Sequence, residues 1–159
     1  MTLDDTLLEK LASWRPAPGR QPFAVLDSDS QAAVQLTVDR LDELGCRLWE
    51  ASVTRSPQAA AREPSLKAWA ERVAARVTGL LEPLKLIEVD DNLGQALLRS
   101  DGPAAKGNDL FYYEVVLHRT GAAFVRRYRG SRLPTKREQV SFVLTREALA
   151  KLVKDLAAE

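Results

Sequence analysis

The chain has 159 residues, 45% of them hydrophobic and 28% charged, in the range of a globular domain with a real core. A formal net charge of +1 argues against a generally basic nucleic-acid binder and against an acidic tail. One cysteine and one histidine exclude an internal disulfide and a Cys/His zinc site.

The first helix is expected over residues 3–14. Leu3, Leu7, Leu8, Leu11 and Trp14 fall at helical spacing, Thr2 can cap, and Asp4 and Asp5 suit the first turn. This segment has no positive n-region or apolar h-region, so it does not read as a signal peptide. No run of about 18 apolar residues points to a membrane span. Residues 15–22, RPAPGRQP, form an extended connector.

Phe23–Leu26 reads as a short strand and DSDS as a turn. Asp27 and Asp29 alternate as in a calcium loop, but the twelfth position is Val38, where a glutamate is needed. Val34, Leu36 and Val38 alternate with polar residues in Gln31–Asp39, a half-buried strand. Cys46–Thr54 returns, with Trp49, Ala51 and Val53 expected on one side. Cys46 reads as a small buried thiol.

Residues 56–63 are expected to be a second connector. A helix then runs from Pro64 or Ser65 to about Thr78, with Leu66, Trp69, Ala70, Val73 and Val77 on one face. Arg72 and Arg76 share a stripe and read as the border of a solvated face. Leu84–Asp90 and Gln95–Ser100 flank DNLG as a hairpin, and Asp101–Asp109 is a loop.

The stretch Asp109–Arg129 holds the most β-rich residues. With Thr120 and Gly121 as a two-residue loop, Arg119 faces Ala122. Phe111, Tyr113, Val115, Leu117, Phe124 and Tyr128 then share the apolar side, with Arg126 intruding opposite Val115. On the other side Glu114 faces Arg127 and Tyr112 faces Arg129. Gln139–Leu144 reads as a last strand. Thr145 caps a last helix with a stripe of Leu149, Leu152, Val153 and Leu156.

These elements predict an α+β fold. A mainly antiparallel sheet of about six to eight strands carries N-terminal, middle and C-terminal helices, within a single domain over 1–159. The order of elements resembles that of small secretion-chaperone-like α+β proteins. The resemblance covers element order alone and implies dimerisation and binding of unfolded segments.

Charge concentrates in one place. Arg119, Arg126, Arg127, Arg129, Arg132, Lys136 and Arg137 cluster, with no acid from Val115 through Arg137. Arg126, Arg127, Arg129, Arg132, Lys136 and Arg137 are the candidate contacts for an anion or a partner. His118 is the one candidate for acid–base work. Glu114, roughly 13 Å away at about 3.3 Å per residue, is too far to orient it.

No catalytic, metal or cofactor residues are assigned. The leading reading is a cytoplasmic, non-enzymatic protein that binds a protein partner or itself, without membrane attachment. Nucleic-acid or anion binding through residues 119–137 is the second reading, and an enzyme with a non-obvious site the third. The abundance of Ala, Arg and Leu suits a GC-rich bacterial genome.

Overall fold

The computed structural model describes residues 1–131 and 136–159. Its elements are α1 (Leu3–Ser13), β1 (Gln21–Leu26), β2 (Ala33–Leu41), β3 (Cys46–Thr54), α2 (Pro57–Arg62) and α3 (Leu66–Arg76). They continue with β4 (Leu84–Asp90), β5 (Gln95–Ser100), β6 (Ala104–Lys106), β7 (Asp109–His118), β8 (Ala122–Ser131), β9 (Glu138–Val140), β10 (Phe142–Leu144) and α4 (Arg146–Ala157).

The helices start where the sequence can satisfy free backbone N–H groups. Ser65 Oγ accepts from Ala68 N–H at 3.0 Å, and Thr145 Oγ1 accepts from Ala148 N–H at 3.0 Å. At α1, Asp5 accepts from both the hydroxyl and the backbone N–H of Thr2. The segment expected as a connector over 56–63 contains α2. Ser56 caps it through Ala59 N–H, Pro57 occupies its first turn, and three alanines follow.

Ten strands are described, and all their pairings are antiparallel within one sheet. Seven run in the order β1-β2-β3-β8-β7-β5-β4. The other three are short. β6 pairs with the start of β7 around Gly107 and Asn108, inside the segment expected as a loop. The expected strand at 139–144 divides at Ser141: β9 pairs with β8 and β10 with β3. It fills the gap where β3 and β8 diverge.

All the long helices lie on one face. α1 packs on α4, α4 covers β3 and β10, and α3 covers β4, β5 and β7. Their leucines interlock with the inward residues of the sheet. Leu7, Leu11, Leu149 and Leu156 meet Leu48, Leu98 and Leu117 in one buried cluster with Trp69. Burying each such leucine contributes about 1.5–3 kcal/mol. No helix among the described residues is long and apolar enough to cross a membrane.

Two registers differ from expectation. Between β2 and β3 the pairing shifts at Thr37/Val38, so Leu48 rather than Trp49 joins Ala51 and Val53 in the core. A bulge adds one residue and reverses the alternation beyond it. Trp49 is left half-buried, with the Arg20 guanidinium 4.0 Å from its ring centroid.

The second difference reverses a whole strand. The β7–β8 loop is Arg119, Thr120 and Gly121, one residue longer than expected. Gly121 N–H donates to His118 O at 2.9 Å, and Gly121 has φ of +103°. This is the longer hairpin loop, with glycine at the left-handed position. Glu114 therefore faces Arg126, and Tyr112 faces Tyr128. Ala123, Val125 and Arg127 turn toward the helices, while Phe124, Arg126 and Tyr128 turn away.

Gly121 is also confined by its neighbours. A Cβ there would lie 3.1 Å from Ala60 Cβ and 3.3 Å from Arg55 O. Gly121→Ala is expected to cost about 1–3 kcal/mol of stability in urea unfolding. A neutral substitution would show that the turn relaxes. Burial pushes the Cys46 thiol up to about 11. Cys46 should resist thiol reagents at neutral pH in the folded protein and react fully in denaturant; rapid native labelling would contradict its burial.

Candidate partner-binding face

The side of the sheet away from the helices is ordered into rows by the cross-strand pairing. One row runs through Ser52, Phe124, Val116 and Leu97. The neighbouring row runs through Arg126, Glu114 and Arg99, with Glu50 joined to Arg126. Beyond it, the rings of Tyr112 and Tyr128 stack at 5.9 Å between centroids. An apolar row, a charged row and an aromatic pair thus lie side by side. Their origin is the even-numbered set of β7 and β8, which the three-residue turn sends outward.

The charged row satisfies much of its own charge. Arg126 Nε donates to Glu50 at 2.6 Å, and both side chains are partly buried. Desolvation acts against the charged guanidinium, but the Glu50 hydrogen bond and charge hold Arg126 above its ordinary value. Glu114 is buried beneath two arginines. Arg99 Nε donates to it at 3.0 Å and Arg137 Nη1 at 2.5 Å. Arg137 also lies 3.9 Å from the centroid of Tyr128, and its bond to Glu114 holds its guanidinium above the usual value.

The six candidate contacts do not converge. Arg126 and Arg137 reach the open face. Arg127 points the other way and is buried at 7% exposure, where Nη1 donates to Glu82 at 3.2 Å. Its guanidinium lies 4.3 Å from the centroid of Tyr113. Arg129 forms an ion pair with Glu138 across β8 and β9. Lys136 is exposed, and Arg132 lies outside the described residues. The expected pairs Glu114–Arg127 and Tyr112–Arg129 are replaced, because the one-residue change of register carries each arginine to the opposite side. The same change removes Arg126 from the apolar side.

His118 sits on the open face, packed edge-on to Phe124 at 5.5 Å. The nearer carboxylate on its own strand, Glu114, is engaged by Arg99 and Arg137 instead. Glu50, Glu82 and Arg99 are not among the candidate contacts read from the sequence. Arg99 had a weak local signal, as the charge that ends the apolar run of β5. Glu50 and Glu82 had none, lying 76 and 45 residues from their arginines. No family model, no curated protein and no solved structure matches the chain.

The two neighbouring arginines should respond very differently to truncation. Arg127→Ala leaves Glu82 buried without its ion-pair partner and should cost about 3–5 kcal/mol. Arg126→Ala opens a partly exposed pair and should cost about 1 kcal/mol or less. Chemical denaturation of both variants decides the register; the opposite ranking would restore Arg126 to the core side.

Proposed function

We propose that this chain is a non-enzymatic protein-interaction or chaperone-like module that receives a polypeptide partner on the open face of its sheet. The observation that carries the reading is the row of Phe124, Val116 and Leu97 beside the stacked Tyr112 and Tyr128, on the face that the long helices leave uncovered. Tyrosine and arginine are enriched at the energetic centres of protein interfaces, because each combines a broad apolar face with a polar tip. The alternating charges of Arg126, Glu114 and Arg99 favour a partner carrying both signs, such as a second copy of the chain. A cytoplasmic location belongs to this reading and rests on composition and the lone cysteine.

Anion or nucleic-acid binding through residues 119–137 is a second reading. It is supported by Arg99 and Arg137 sharing one carboxylate next to a tyrosine pair. Against it stands the pairing of Arg126, Arg127 and Arg129 with acids, which reduces the charge offered to phosphates.

Sedimentation over a range of concentrations, with cross-linking of any assembly or co-purified protein, tests the first reading. Cross-links should map to β5, β7 and β8, and Tyr128→Ala should weaken association about tenfold. A monomer at all concentrations, with no partner bound to this face, would reject it. Salt-sensitive binding of single-stranded RNA, lost in Arg137→Ala, would favour the second reading instead.

A further inference from the structure

Beyond the end of β3, on the side of the molecule held by α2 and α3, lies a cluster of a different kind. Arg55 is 3% exposed, and its backbone N–H donates to Gly121 O at 3.0 Å. Its guanidinium stacks 3.8 Å from the centroid of the Trp69 indole. Arg55 Nη1 donates to Glu63 at 2.8 Å. Arg72 holds the same carboxylate through Nη1 and Nη2, each at 2.7 Å.

One carboxylate therefore directly answers two guanidiniums, Arg55 fully buried and Arg72 partly exposed, with Glu159 acting on Arg72 from farther off. Glu63 is ionised: its hydrogen bond from Arg72 holds its carboxyl below the usual range. Three buried N–H donors in the cluster, Arg55 Nε, Trp69 Nε1 and Arg72 Nε, have no acceptor among the described residues. Buried donors without acceptors are costly, and a carboxylate that reached the Arg55 guanidinium would offset part of that cost.

A cavity of about 670 Å³ lies beside Arg55, Glu63 and Trp69 of this cluster. Arg55, Glu63, Ser65, Trp69, Arg119 and Thr120 are among its lining residues, and prolines and alanines around α2 make much of the remainder apolar. Its size is that of a small-molecule site. The first residues of α3 also line it and add the positive end of an eleven-residue helix. The Arg55 guanidinium has N–H groups beyond the one that Glu63 takes.

We propose that this cavity binds a small organic monocarboxylate with an aromatic or branched apolar body, its carboxylate on Arg55 beside Trp69 and its body against the prolines and alanines around α2. A dianion fits less well, since Glu63 lines the same cavity and repels a second negative charge.

Titration of the full chain with benzoate, with its neutral isostere benzamide and with phenyl phosphate tests this. The readouts are the Arg Nε–H and Trp indole N–H resonances. Benzoate should saturate with a Kd below about 1 mM and shift the signals of Arg55 and Trp69. Benzamide and phenyl phosphate should each bind at least tenfold more weakly. Arg55→Gln should abolish benzoate binding. Ala61→Trp, at an exposed lining position, should block the cavity while leaving the ionic cluster intact. If Arg55→Gln does not fold, the ligand comparison and Ala61→Trp decide. No shift with benzoate, equal binding of benzamide or phenyl phosphate, or full binding by Ala61→Trp would overturn the proposal.

Discussion

The hydrogen bond from Gly121 N–H to His118 O closes the β7–β8 turn, and much of the molecule follows from the loop length it sets. With three loop residues, the even-numbered residues of both strands face away from the helices. Tyr112, Glu114, Phe124, Arg126 and Tyr128 then share one surface, while Val115, Leu117 and Val125 enter the core. With two loop residues, β8 would present its other side: Phe124 would be driven inward, and Glu50 would lose its partner Arg126. The same glycine carries the loop close to Arg55, because Gly121 O accepts from Arg55 N–H. One backbone conformation thus orders the open face and sets Arg119 and Thr120 in the wall of the cavity beside α2.

A second regularity concerns arginine. The chain is nearly neutral, with 23 basic and 22 acidic residues, yet several carboxylates serve more than one donor. Glu63 accepts from Arg55 and Arg72, and Glu114 from Arg99 and Arg137. Glu82 accepts from Arg127 and from the Ser100 hydroxyl, whose oxygen in turn accepts from Tyr113 N–H. Guanidinium groups suit this sharing because they are planar and offer several donors. Four of these arginines also lie over aromatic rings: Arg55, Arg99, Arg127 and Arg137. Such networks are sensitive to the loss of one member and give position more than net stability.

Local rules made much of the fold legible. Leu84–Asp90 and Gln95–Ser100 appear at their expected ends, and Thr145 caps α4 through Ala148 as its hydroxyl suggested. Apolar alternation marked Val34, Leu36 and Val38 as inward residues. The errors arose where the local pattern is compatible with two answers. RTGA can hold a two- or a three-residue loop, and the choice depends on which side of β8 meets the helices. The bulge opposite Trp49 depends on a neighbouring strand, and the alanines of α2 carry no strong polarity. Arg72 does lie half-buried at the border of a solvated face, but its partner Glu63 there has no signal in helical spacing. The open face and the Arg55 cluster both need side chains distant in sequence, so spacing along the chain could not assemble them.

The division of the last strand at Ser141 bears on how the sheet is assembled. β1, β2 and β3 form a local meander, and β4, β5, β7 and β8 form another. Among the described residues, the two meet directly only along Ala51–Thr54 and Ala122–Val125. Elsewhere the join is made by β9 on one half and β10 on the other, and Gln139 donates to Trp49 O across a separation of 90 residues. Each meander can form by closing short loops, whereas joining them requires closing very long ones. The strand from Glu138 to Leu144 therefore acts as a keystone: its proper place exists only once both halves have formed. It then leads directly into α4, so closing this seam and roofing it with a helix become one late folding event.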